Sequence, residues 1–275
     1  MGKHILLPAL ALGGGAVGFA LRKWQLSTAF EAESGLAIPG APAALILALW
    51  SALLAAALLF LCRGARSGPD AGSVPDGRGN RIFLTAGVLA AFLLLSGGVA
   101  DFVAGDLALR TLPGMVLAKG LSILRSVLTL LGFPCALLWV RALYRDPDSA
   151  RESLPLLELW LTVCVWLIAD YQHRAGDPIV MAYAYEMLAI AAVLMALYYL
   201  AGFVFQTGKP FPMLWFSLMG IYFSLVTLAD GHTLGDLARY GFCVLFLCAH
   251  VYLFLAPRRG DDHPTEEERE ENPNE

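Results

Sequence analysis

Charge is scarce in this sequence: Asp, Glu, Lys and Arg make up 15% of its 275 residues, against about 25% in a soluble domain. With 58% hydrophobic side chains and a mean hydropathy of +0.64, the composition excludes an ordinary soluble fold and points to an integral membrane protein. The small net charge of −4 says little about partners, because eight carboxylates fall between Asp261 and Glu275. No basic surface for nucleic acid is present. The five cysteines, Cys62, Cys135, Cys164, Cys243 and Cys248, all lie in apolar stretches. They form no Cys-x-x-Cys and no spacing suited to a disulfide or metal framework. They read as small apolar fillers. Also missing are His-Glu-x-x-His, Gly-x-Ser-x-Gly and a Walker sequence, which removes the usual support for a protease, hydrolase or ATPase.

Long apolar runs, by contrast, are abundant. A membrane-spanning helix needs about 20 apolar residues, and eight stretches meet or approach that length: roughly 5–22, 43–62, 82–100, 115–143, 154–170, 178–205, 211–229 and 237–256. The expected fold is all-α: a polytopic transmembrane bundle of about eight spans arranged as four helical hairpins, covering residues 1–256. Gly132-Phe133-Pro134 predicts an interruption of the fourth span, since proline lacks an N–H and crowds the preceding turn. The Gly-, Pro- and Ser-rich segment 63–81 reads as a flexible inner loop, and the acidic segment 257–275 as a disordered tail. The first run is followed by Arg22-Lys23-Trp24 rather than a small-x-small cleavage site, so it reads as an uncleaved span.

With the N-terminus inside, Arg22, Lys23, Arg110, Lys119, Arg125, Arg174 and Arg239 fall on the outer side, leaving twelve of the nineteen basic residues inside. That asymmetry places both termini in the cytoplasm and suits a plasma-membrane protein. Arg22-Lys23, just beyond the first span, argues the other way.

Three acidic repeats stand at the expected outer ends: Ala100-Asp101…Gly105-Asp106, Ala169-Asp170…Gly176-Asp177 and Ala229-Asp230…Gly235-Asp236. They suggest three similar hairpins, although three short matches do not establish a duplication. The second aspartates, Asp106, Asp177 and Asp236, are placed to cap returning helices. The first, Asp101, Asp170 and Asp230, end outgoing helices where the helix dipole disfavours negative charge, so each wants a cation. That cation is either a nearby protein group (Arg110, Arg174, Arg239, Lys119) or a ligand, proton or metal bound in an acidic mouth with His173 and His232. Metal remains unknown, and no cofactor is indicated.

A second constellation lies within the spans. By helical rise, Arg125 and Glu186 sit at similar depth, roughly 9–12 Å from the outer ends, and are expected to pair, with Tyr183 one turn away as a donor to Glu186. Glu158 reads as compensating a helix dipole, and His250 as a core histidine bonded to a neighbouring helix. Gly13-Gly14-Gly15…Gly18 and Ala48, Ala52 and Ala56 permit close helix contact. Trp24, Trp139, Trp160, Tyr144 and Tyr171 read as interface anchors.

These readings leave three classes of function open. The first is small-molecule or ion binding, of transporter or sensor type, through the acid-rich outer face. The second is an accessory subunit assembling with other membrane subunits in the lipid bilayer. The third is a membrane-embedded enzyme on a lipid-linked substrate, which requires Asp170, His173, Asp230 and His232 to converge.

Overall fold

The computed structural model describes residues 3–31, 36–63, 74–111, 116–145, 154–174 and 179–256. Eight helices follow one another: α1 Lys3–Thr28, α2 Pro42–Cys62, α3 Arg81–Thr111, α4 Val116–Arg145, α5 Leu154–Arg174, α6 Val180–Val204, α7 Pro210–Thr227 and α8 Leu234–Leu255. All eight are long and apolar enough to cross a membrane, so the chain is an all-α, multi-pass membrane protein. Among the described residues the only strand-like pairing is an isolated bridge between Phe30 and Ala37, in the α1–α2 connection. Residues 64–73 of the inner loop, the tail 257–275 and Gly176-Asp177 lie outside the described residues.

Successive helices pair except α2 and α3, and the hairpins interlock: α3 packs on α8 as well as α4, and α7 on α6 and α1 as well as α8. Helices α7 and α8 occupy the centre, whereas α2 is peripheral, touching α1 and, less extensively, α7. Glycines set the central approach. A Cβ on Gly15 would lie 2.5 Å from Leu225, and one on Gly18 2.6 Å from Val226, so α1 and α7 meet where only hydrogen fits. Gly14 makes the equivalent approach to Leu54 of α2, while Gly13 faces open space. Ala48, Ala52 and Ala56 do not form a contact stripe. They are exposed, and α2 packs through Leu47, Leu54, Leu58 and Cys62 on its other face.

Several expectations change. Helix α4 runs unbroken through Pro134; a membrane helix tolerates proline where neighbouring helices hold it in place, and here Gly132 lies against Leu94 and Leu159. Trp139 is not an interface anchor. It is 2% exposed and donates its indole N–H to His250 Nε2 at 2.9 Å, while His250 Nδ1 lies 2.7 Å from the Phe246 carbonyl. With Nε2 accepting, Nδ1 must carry the hydrogen, so both nitrogens of a neutral core imidazole are satisfied. Glu158 stands one turn inside α5, and its Oε1 accepts from Thr162 at 2.8 Å.

Candidate functional site

Charged side chains gather at one end of the bundle, where the C-terminal portions of α1, α3, α5 and α7 meet the N-terminal portions of α4, α6 and α8. Helix α1 contributes because nothing breaks it after Arg22. It continues to Thr28, where Ser27 and Thr28 hydroxyls donate back to the Trp24 carbonyl. Arg22 is therefore not in an outer loop but fully buried. Its Nε donates to Asp230 Oδ1 at 2.8 Å, Nη1 to Gln25 Oε1 at 2.8 Å and to the Met181 carbonyl at 3.2 Å, and Nη2 to the Ala182 carbonyl. The guanidinium lies over the Tyr185 ring, 5.2 Å from its centroid. This planar fork serves a carboxylate, an amide and two carbonyls at once, which an ammonium could not match.

Asp101 lies within α3, ten residues before its end at Thr111, rather than at a helix terminus. It is buried and pairs with Arg239 of α8. Gly235 explains how: a side chain there would collide with the Asp101 carboxylate, and Gly97 of α3 would bring a Cβ within 3.1 Å of the Gly235 carbonyl. The Gly-Asp of the third repeat thus opens space between α3 and α8. Asp236 is not the N-cap but the third residue of α8. It forms a capping box with Thr233 and pairs with Arg239. Asp106 is not an N-cap either, since it falls inside the helical span of α3; its side chain is outside the described set. Asp177, the remaining capping candidate, lies outside the described residues.

The expected Arg125–Glu186 pair does not form. Arg125 Nη1 bonds Asp170 Oδ1 at 3.1 Å, with Nε 3.6 Å from Asp101 Oδ2, while Glu186 Oε2 accepts from Arg174 at 2.9 Å. Equal depth fixes one coordinate only. Helix α4 is flanked by α3 and α5, and its basic side chain meets their carboxylates, not the one on α6. Tyr183 makes no hydrogen bond to Glu186. His173 is exposed on α5 and takes no part, whereas His232 is drawn in: Nε2 lies 3.0 Å from Thr227 Oγ1, and Nδ1 3.7 Å from Glu186 Oε1. Thr227 Oγ1 also donates to Asp230 Oδ2 at 3.0 Å. Rings of Trp166, Tyr240 and His232 pack side by side, with centroids 4.9 Å and 5.0 Å apart, and the Arg239 guanidinium lies over Trp166. They join the two halves of the layer.

Asp101 and Asp170 thus meet on Arg125, and Asp230 is held separately by Arg22. Among the described residues protein cations answer the acidic repeat: Arg239 and Arg125 at Asp101, Arg125 at Asp170, Arg22 at Asp230 and Arg239 at Asp236, whereas Arg174 pairs with Glu186. Arg22, Gln25 and Thr227 escaped sequence reasoning; the one available signal was the absence of any helix breaker between Arg22 and Thr28. Among the described residues no three His, Cys, Asp or Glu side chains come together to hold a metal, so Asp170, His173, Asp230 and His232 do not converge as the enzyme reading requires.

No protein-family model, curated protein or solved structure matches this chain.

Hydrogen-bond bookkeeping singles out one contact. The Thr227 hydroxyl has a single proton, which it gives to Asp230. Its contact with His232 then requires an N–H on Nε2, and a neutral imidazole would face Glu186 with a bare Nδ1. Among the described residues the layer gathers five carboxylates (Asp101, Asp170, Glu186, Asp230, Asp236) and four guanidiniums (Arg22, Arg125, Arg174, Arg239).

Proposed function

We propose that the chain is a small-molecule or ion binding membrane protein of transporter or sensor type, and that the ion is a proton held between Glu186 and His232. The observation that supports this reading is the geometry at that contact: with Thr227 donating to Asp230, one more proton on the imidazole supplies the donor that Nδ1 otherwise lacks toward Glu186. Asp101, Asp170 and Asp230, with their arginines, then form the rigid frame that holds the proton site at the end of the bundle.

The same geometry supports placing both termini in the cytoplasm of a plasma-membrane protein. Arg22 spoke against that orientation as a loop residue, but it is buried against Asp230. Arg125, Arg174 and Arg239 are likewise matched by carboxylates within the bundle, so these four arginines do not act as free cations opposing the positive-inside bias.

The test is thermal unfolding in mild detergent from about pH 5 to about pH 8, where histidine ordinarily titrates, with and without monovalent and divalent cations, for wild type, Glu186→Gln and the triple Asp101, Asp170, Asp230→Asn variant. Wild type and Glu186→Gln should differ in how their melting temperatures depend on pH, and parallel curves for those two would overturn the proton site. A cation-dependent rise seen in wild type and lost in both variants would replace the proton with that cation.

A further inference from the structure

At the opposite end of the bundle a cavity of about 530 Å³ opens between the start of α5, the end of α6 and the α6–α7 turn. Its size falls in the range of roughly 300–1,000 Å³ typical of ligand pockets. The walls are apolar and aromatic, from Leu157, Trp160, Tyr198, Tyr199 and Phe205. Leu157, Tyr198 and Phe205 are themselves exposed, so the cavity opens sideways from the flank of the helices, where hydrocarbon lies, and not into the interior of the bundle. Its polar groups are few. Lys209, immediately before α7, is exposed and makes no ion pair among the described residues; Thr207 adds a hydroxyl; and the Trp160 indole N–H is buried with no acceptor among the described residues.

An unpaired ammonium beside a hydrocarbon-lined groove calls for a ligand with an anionic head and an apolar tail. We propose that this cavity is a binding site for an anionic phospholipid, with an acyl chain along Leu157, Tyr198 and Phe205 and the phosphate at Lys209. A tryptophan and tyrosines beside a basic residue are the side chains that favour the headgroup boundary, and anionic headgroups attract basic residues at the membrane surface. A zwitterionic lipid would fill the same walls but leave Lys209 without a net negative partner.

The site is separate from the charge layer, so its fate does not depend on the proton reading. The experiment is native mass spectrometry of the purified full-length protein in detergent, titrated with phosphatidylglycerol or phosphatidylcholine of matched chains. Wild type should take up phosphatidylglycerol several-fold more readily. Lys209→Gln should erase that preference and Lys209→Arg should keep it. Gly202→Leu should lower uptake of both lipids, because a Cβ at Gly202 meets only ordinary contacts, at 3.6 Å and 3.7 Å from Thr207, and the added side chain fills the groove without displacing backbone. Equal uptake of the two lipids by wild type, or an unchanged preference in Lys209→Gln, would overturn the proposal. Should Gly202→Leu not fold, the two Lys209 variants decide the question alone.

Discussion

Replacing Arg22 with Met keeps a long side chain in α1 while removing the whole guanidinium fork. Arg22 is fully buried and the Asp230 side chain is only 12% exposed, so water cannot compensate the stranded carboxylate. Breaking a buried pair by deleting one partner costs about 3–5 kcal/mol. The Gln25 amide oxygen, also buried and bonded to Nη1, loses its donor and adds about 1 kcal/mol. The Met181 and Ala182 carbonyls belong to the first turn of α6 and keep the N–H groups four residues on as intrahelical donors, so they add little. The sum is about 4–6 kcal/mol. For a chain of this size each kcal/mol moves the melting temperature by about 2–4 °C, so Arg22→Met should melt about 10 °C or more below wild type in mild detergent, followed by intrinsic tryptophan fluorescence. The decisive arm is the double variant Arg22→Met with Asp230→Asn. It removes the uncompensated charge and should recover roughly half of the loss, because contacting residues are coupled. A single variant within about 1 kcal/mol of wild type, or a double variant no more stable than the single, would refute the view that this pair is a buried electrostatic tie between α1 and the α7–α8 turn.

Asp170→Asn should cost less, about 1–2 kcal/mol by thermal unfolding. Its partner Arg125 is 19% exposed and keeps Asp101 at 3.6 Å, which puts the pair between surface and buried ion pairs. Trp139→Phe preserves most of the ring but deprives His250 Nε2 of its donor, so it should lose about 1–3 kcal/mol, while Trp24→Phe, exposed on α1, should lose little in the same assay. Gly18→Ala should destabilise by about 1–3 kcal/mol through overcrowding against Val226 and Tyr222. Gly13→Ala, with open space around its Cβ, should be neutral or gain up to about 1 kcal/mol from helix propensity; equal effects at the two glycines would contradict the close α1–α7 contact.

The hydrophobic pattern alone determined that eight helices cross a membrane, because span length is a one-dimensional property: bilayer thickness divided by helical rise. It also singled out most of the ionisable side chains that gather at the charged end, since an ionisable residue stands out in an apolar run. It placed His250 correctly as a core histidine bonded to another helix. What it could not supply was azimuth and neighbourhood. Arg125 and Glu186 stand at similar depth yet turn to different partners, because α4 lies against α3 and α5. Ala48, Ala52 and Ala56 share a helical face as expected, but which face of α2 meets α1 depended on Gly14 receiving Leu54. Asp101 looked like a helix end because a repeat of four residues carries no record of where the backbone hydrogen bonds stop, and α3 continues for two to three more turns. The Gly-Asp of the third repeat acquired its meaning only when α3 and α8 crossed at Gly97 and Gly235, leaving room for one carboxylate and no Cβ. Helices and membrane depth follow from local chemistry; the pairing of charges follows from which helices are neighbours, and that is decided by steric fit between segments far apart in the chain.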